Sequence, residues 1–295
     1  MERIQEAIER ARRERQGNIG KSDTSADTQA DGDRDDSHKA SQADTAPTAS
    51  AAKPSSASPR GKGGASIRVQ YSETRVATLD EKELKERRIV AGFAHDKRSE
   101  PYRQLRGQIL NKFREKNWQT LAVTSPGGGS GRTLTAINLA ISLSLEANQT
   151  VLLVDLDLRS PGVAQSMGID AIDYGIVDYI KGDQQLEDIL INPGYERLVI
   201  LPGKPQGAFT SEILSSPEMR AVKDELVARY PTRLIIFDLP PVLNQDDALV
   251  FAPGCDASLM IVEEGGTSKQ DLERAYHLLE GANIIGTVFN KVRYP

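Results

Sequence analysis

The stretch Ser125-Pro126-Gly127-Gly128-Gly129-Ser130-Gly131-Arg132-Thr133-Leu134 decides how the rest of the chain is read. It follows the apolar Leu121-Ala122-Val123. It precedes a segment in which Ala136, Ile137, Leu139, Ala140 and Leu143 recur at helical spacing. A glycine-rich turn between strand and helix lets backbone N–H groups face phosphate oxygens, aided by the helix N-terminus. The phosphate-loop pattern is G-x-x-x-x-G-K-[ST]. Here its last three positions read Gly131-Arg132-Thr133, with arginine for lysine, and Pro126 stands where the first glycine belongs. Taken alone, the stretch is equally a plain strand-to-helix connection.

Two acidic strand ends change that reading. Val151-Leu152-Leu153-Val154-Asp155-Leu156-Asp157-Leu158-Arg159 is a buried-strand pattern that ends in two carboxylates and an arginine. In open α/β sheets that edge is where ligands bind. Leu234-Ile235-Ile236-Phe237-Asp238-Leu239-Pro240-Pro241 is a second one, with the form of a Walker B segment whose aspartate orients Mg²⁺. A lone aspartate at a strand end is ordinarily a cap or turn residue. Three such stretches in this order, each after a strand, describe a phosphate and metal site.

The surrounding pattern sets the fold class. Strands are expected at 120–124, 151–155, 198–201, 234–237, 257–262 and 284–289, and helices at 100–115, 133–146, 175–181, 218–229 and 269–280. Near-continuous apolar strands separated by helices imply an α/β fold: a three-layer, mostly parallel sheet with helices on both faces. Four regions are expected: a short amphipathic helix over 1–17, a disordered low-complexity linker over 18–70, a preamble over 71–97, and the main domain over 98–295. In the preamble, Thr78-Leu79-Asp80-Glu81 is a capping-box pattern for a helix running through Arg88. The linker, rich in Ser, Ala, Asp and Thr, has too little apolar surface to offset its ordering entropy.

Composition excludes several classes. A net charge of −5 argues against general nucleic-acid binding. The single cysteine, Cys255, excludes a disulfide framework and reads as a small buried apolar residue. No run reaches the roughly 18–20 apolar residues of a membrane span, and the N-terminus has no signal-peptide core. A cytoplasmic protein, peripheral to the inner membrane through a partner, is expected.

The set SPGGGSGRT, VLLVDLDLRSP and LIIFDLPPVL resembles the bacterial polysaccharide-biosynthesis tyrosine autokinases, the BY-kinases, within the P-loop NTPase class that includes the partition ATPases. Glu100-Pro101-Tyr102-Arg103-Gln104-Leu105-Arg106 matches that family's E-x-x-R-x-x-R oligomerisation motif, and the preamble is similar to its exosortase-associated exopolysaccharide subgroup. The resemblance covers roughly 98–293. It implies ATP and Mg as cofactors, with Gly128, Gly129, Ser130, Gly131, Arg132, Thr133 and Leu134 around the phosphates and Asn290 reading the adenine. Thr133, Asp155 and Asp238 would hold Mg²⁺, and Arg132, Asp155, Asp157 and Asp238 would form the catalytic set. Glu100, Arg103 and Arg106 would pair across a homo-oligomeric ring, and a membrane chain-length-determinant (polysaccharide co-polymerase) protein would be the partner.

The chain departs from the family at two points. Arginine spreads its charge over a planar fork where lysine offers a compact point, so Arg132 is expected to reshape nucleotide binding and slow turnover. The family's C-terminal tyrosine cluster is also missing. Tyr294 is the tyrosine offered after Asn290, the five residues there reach at most about 18 Å, and an acceptor tyrosine on a different protein is equally consistent. Alternatives are therefore a catalytically weak or inactive relative acting as a regulatory oligomer, and a partition-type ATPase without phosphotransfer.

Overall fold

The computed structural model describes residues 74–229 and 232–292. The expected helix over 1–17, the linker over 18–70, the first preamble residues before Thr74, and Tyr294 lie outside the described residues. In chain order the elements are β1 (Arg75–Val76), α1 (Glu81–Glu86), a 3-10 turn (Lys97–Ser99), α2 (Glu100–Lys116), β2 (Thr120–Thr124), α3 (Arg132–Ser144) and β3 (Thr150–Asp155). Then follow α4 (Val163–Ser166), α5 (Ile176–Ile180), α6 (Leu186–Ile189), β4 (Ile191–Asn192), β5 (Leu198–Leu201), α7 (Thr210–Ser215) and α8 (Pro217–Arg229). The last are β6 (Arg233–Asp238), α9 (Asp247–Phe251), a second 3-10 turn (Ala252–Gly254), β7 (Ala257–Glu263), α10 (Lys269–Leu278) and β8 (Ile284–Asn290).

The strands form one sheet in the order β1-β4-β5-β3-β6-β2-β7-β8. Every adjacent pair is parallel except β4 with β5. Successive side chains of a strand point to opposite faces, and here each face has its own apolar core. Leu121, Val123, Leu153 and Ile236 pack on one side with Ile109, Leu110 and Phe113 of α2 and most of α3. Ala122, Leu152, Val154 and Phe237 pack on the other with Val177 of α5, Leu226 of α8 and Phe251 of α9. This is the expected three-layer architecture. Phe237 is fully buried and meets Phe251 edge-on at 4.9 Å between centroids. Truncation of such a ring to alanine costs about 3–5 kcal/mol.

Two helices frame the site. α2 has Pro101 in its first turn and ends at Asn117, whose left-handed backbone (φ 55°) stops it. α3 is buried from Thr135 to Ser144, held between the sheet and α2, so it is apolar nearly all round. Among its buried polar residues is Asn138, fully buried, whose Oδ1 accepts from Val90 N–H (2.8 Å) and Ala91 N–H (3.0 Å). Its Nδ2 donates to the Arg88 (3.1 Å) and Leu134 (2.9 Å) carbonyls.

The preamble helix begins later than its capping box predicts. Asp80, not Thr78, is the N-cap, because its carboxylate accepts from Glu83 N–H at 2.8 Å with Asp80 itself extended. The helix also stops at Glu86 rather than continuing through Arg88, whose φ of 63° cannot propagate a right-handed helix. β1 was not foreseen: it adds an edge strand two residues long, paired with β4.

Candidate functional site

β2 delivers the glycine loop to the C-terminal edge of the sheet. Gly129 and Gly131 have φ of 79° and 83°, a region glycine enters without steric cost. A Cβ at Gly127, Gly128 or Gly129 would meet nothing, so that side of the loop is open. The loop's base is pinned by Val242 N–H to the Ser125 carbonyl (2.9 Å) and Leu243 N–H to the Pro126 carbonyl (3.0 Å). α3 then starts with no side-chain cap and no acidic residue in its first turn. Its first N–H groups and positive dipole end are thereby left for an anion.

The acidic strand ends lie beside this loop. Asp155 of β3 and Asp238 of β6 are register partners on adjacent strands, and both are buried. Asp155 is held by backbone donors: Oδ2 accepts from Gly162 N–H and Val163 N–H, both at 2.9 Å, and Oδ1 from Asp157 N–H at 3.2 Å. Burial, and then the neighbouring Asp238 charge, push its carboxyl up to about 8. Burial raises Asp238 to about 6, against the pull of Arg132 and the Thr133 hydroxyl. Neither Asp238 oxygen has a hydrogen bond of good geometry, although Thr133 leans toward it. Burial also raises Asp157, with Arg132 opposing, and Asp157 Oδ1 accepts from Ser160 N–H at 3.1 Å.

Arg132 turns inward onto this wall. Its Nη2 bonds Asp157 Oδ2 and its Nε lies 3.5 Å from Asp238 Oδ1, with the side chain 12% exposed. Asn290, at the end of β8, donates from Nδ2 to the Ser130 carbonyl at 2.8 Å. It stands so close to Gly131 that a Cβ there would collide with its Nδ2. On this flank a cleft of about 430 Å³ is lined by Gly131, Leu134 and Asn290 together with Arg88, Val90, Arg98 and Tyr102.

Comparisons with known proteins bear on the same residues. The family described as an AAA domain matches residues 118–263, from the loop strand through β7. The chain is 28% identical over 194 residues to the tyrosine-protein kinase YwqD of Bacillus subtilis, a match that covers 65% of this chain and 80% of that protein. It is 26% identical to the tyrosine-protein kinase CpsD of Streptococcus agalactiae, over 61% of this chain and 79% of that one. The kinase domain of VpsO superposes with a TM-score of 0.61 at 25% identity, covering 72% of this chain and all of that domain. The chain is similar to the BY-kinases, and its fold is that of the P-loop NTPases.

In this BY-kinase-like chain Gly128 to Leu134, Asp155, Asp157, Asp238 and Asn290 gather at one sheet edge. Glu100, Arg103 and Arg106 stand elsewhere, along α2. Within the chain Arg103 pairs with Glu100 at 2.8 Å, and Arg106 reaches Glu146 (3.2 Å) and the Ser142 carbonyl (3.0 Å) at the C-terminus of α3. The sequence reading missed the cleft residues Arg88, Arg98 and Tyr102, which lie just before the main domain or at its start and carry no phosphate or metal motif. It also missed Asp247, a fully buried carboxylate without a hydrogen-bond donor, 3.8 Å from Arg159 Nη2. Asn138 did carry a signal, a carboxamide inside the apolar run Ala136-Ile137-Asn138-Leu139-Ala140. Among the described residues no helix is long and apolar enough to cross a membrane.

Proposed function

We propose that the chain binds Mg-ATP at the glycine loop and transfers its terminal phosphoryl group to a tyrosine, in the control of exopolysaccharide polymerisation and export. The observation that carries this reading is the uncapped N-terminus of α3, with its open glycine loop, set against the carboxylate wall of Asp155, Asp157 and Asp238. Backbone N–H groups from Gly128 to Thr133 would hold the phosphates, and the cleft beside Leu134 and Asn290 would take the base. Among the described residues, no three His, Cys, Asp or Glu side chains are grouped to hold a metal unaided. Mg²⁺ does not require that, since one or two carboxylates and substrate phosphates suffice. The orphaned oxygens of Asp238, with Thr133 beside them, fit such an ion. A bound magnesium would offset the charge of the phosphate oxygens. The tyrosine oxygen forms the new bond to phosphorus as the bond to the ADP oxygen breaks, and the phenolic proton passes to Asp155 in its ionised form, the form that burial disfavours in the nucleotide-free protein, with Asp157 beside it.

The acceptor would be Tyr294 or a tyrosine of another chain. Assembly of copies through Glu100, Arg103 and Arg106, and activation by a membrane chain-length partner, belong to the same proposal.

Arg132, bonded to Asp157 rather than free to reach phosphate, favours one second reading: a catalytically weak member acting as a regulatory oligomer. Purified protein incubated with Mg-ATP and probed for phosphotyrosine separates the two, alongside Asp155→Ala and Arg132→Lys. The kinase reading expects signal in the wild type, lost in Asp155→Ala. A blank wild type with an active Arg132→Lys establishes the second.

A further inference from the structure

We propose that Arg132 is the resident counter-cation of the carboxylate wall, holding the place of a divalent ion until a polyphosphate draws the guanidinium away. Three carboxylates converge from two strands, each at most 3% exposed. Asp155 is satisfied by three backbone N–H groups. Asp157 and Asp238 are not satisfied in this way. Asp157 spends one oxygen on Ser160 N–H and the other on Arg132, while Asp238 has only the Arg132 Nε at 3.5 Å facing it as a cation.

One guanidinium thus bridges two strand ends. Its planar fork carries donors on separate nitrogens and addresses both carboxylates at once, whereas an ammonium is a single point. Buried carboxylates stripped of their cation are strongly unfavourable. Arg132 therefore leaves only by exchange: a cation must replace it at Asp238 as it gains new oxygen partners. A metal ion alone provides the first half of that exchange and leaves the guanidinium, 12% exposed, on Asp157 Oδ2 beside a second cation and with no further acceptor. A nucleotide with its metal provides both halves. This makes Arg132 a determinant of metal affinity: the free protein resists divalent ions, and metal enters together with nucleotide. The exchange step rests on the nucleotide reading, but the counter-cation role does not.

The test uses Mn²⁺ as the probe, read by electron paramagnetic resonance of the free ion against full-length chain. Wild type without nucleotide is expected to bind no stoichiometric Mn²⁺ up to about 1 mM, while Arg132→Met binds one ion per chain at least roughly tenfold more tightly. Adding Asp238→Asn to Arg132→Met should abolish that gain. Should Arg132→Met fail to give a cooperative melt, Arg132→Lys replaces it, with an expected smaller gain because the ammonium pairs with one carboxylate at a time. Wild type that binds Mn²⁺ as tightly as the folded variant overturns the proposal, and so does a folded variant that gains nothing. Titration of the wild type with fluorescent mant-ADP, with and without Mn²⁺, separates the two readings. Absent mant-ADP binding sinks the nucleotide reading while leaving the Mn²⁺ contrast to decide the role of Arg132.

Discussion

Asp256 and Thr120 clasp each other at the N-terminal ends of β7 and β2. Asp256 Oδ2 accepts from the Thr120 N–H (2.9 Å) and hydroxyl (2.7 Å), and the Thr120 Oγ1 accepts from Asp256 N–H at 2.7 Å. Gln119 N–H adds a further bond to the same Oδ2 at 2.9 Å. The clasp fixes the register of the strand that carries the glycine loop. Burial alone would raise this carboxyl, but the Gln119 and Thr120 donors win and hold it below the ordinary range. Its contribution is therefore present above the unfolded value near 3.8 and is lost as pH falls through the lower folded value. Asp256→Ala should cost about 2–3 kcal/mol in urea unfolding at pH 7, and less at pH 3.

Asn138 is the second clasp, and it ties the chain before α2 to the loop helix. Asn138→Ala strands the Val90 and Ala91 N–H groups in a buried place. The expected loss is about 2–5 kcal/mol by denaturant melt. A leucine of similar bulk should not restore it, since it supplies no acceptor.

The Asp155–Asp238 pair predicts an unusual pH profile for the nucleotide-free protein. Both carboxyls are raised above the ordinary 3.8, to about 8 and about 6. The folded state then holds protons that the unfolded chain releases. The resulting stability is fully present below pH 3.8 and drains away as pH rises through about 6 and then about 8. Melting temperatures across that range should fall, and Asp155→Asn should flatten the slope. An unchanged slope in the variant would rule the pair out as its source.

Gly131→Ala joins two faults, a φ of 83° and a clash with Asn290 Nδ2. It should destabilise the fold by about 1–3 kcal/mol and remove mant-ADP binding. Asn290→Ala in the same chain relieves the clash and not the backbone strain, so stability should recover only in part.

Glu100 and Arg106 should part company in a mass measurement of the assembled protein. Glu100 is exposed, whereas Arg106 also holds Glu146 and the Ser142 carbonyl. If the α2 trio mediates assembly, Glu100→Ala lowers oligomer mass with its melting point unchanged, and Arg106→Ala lowers both. Unaltered mass in both variants removes the trio from the interface.

The central sheet and its acidic ends were legible because buried parallel strands are continuous apolar runs, two of them closed by a conspicuous aspartate, Asp155 and Asp238. β1 and β4 were not: at two residues each they have no period to read, and β1 finds its partner more than a hundred residues along the chain, Arg75 facing Ile191. The site's residue types were legible too. The direction of Arg132 was not, since a sequence shows which cation stands at a loop and not whether it faces phosphate or carboxylate. The preamble cap slipped by two positions because Thr78 and Asp80 both satisfy the pattern, and only the extended backbone of Asp80 settles the choice.

The strand order also has a consequence for how the chain folds. β2 is among the first strands made, yet its sheet neighbours are β6 and β7, with Thr120 facing Ile235 and Leu121 facing Ala257. Each pairing closes a long stretch of chain before any contact rewards it. During synthesis the strand that carries the glycine loop has no neighbour until the polypeptide past Asp238 has emerged, and its second side stays open until Glu263 has followed. The phosphate loop is thus made long before it is held in place. Nascent chains stalled before Arg233 should therefore show no protection of β2 in pulsed hydrogen exchange, however compact they become.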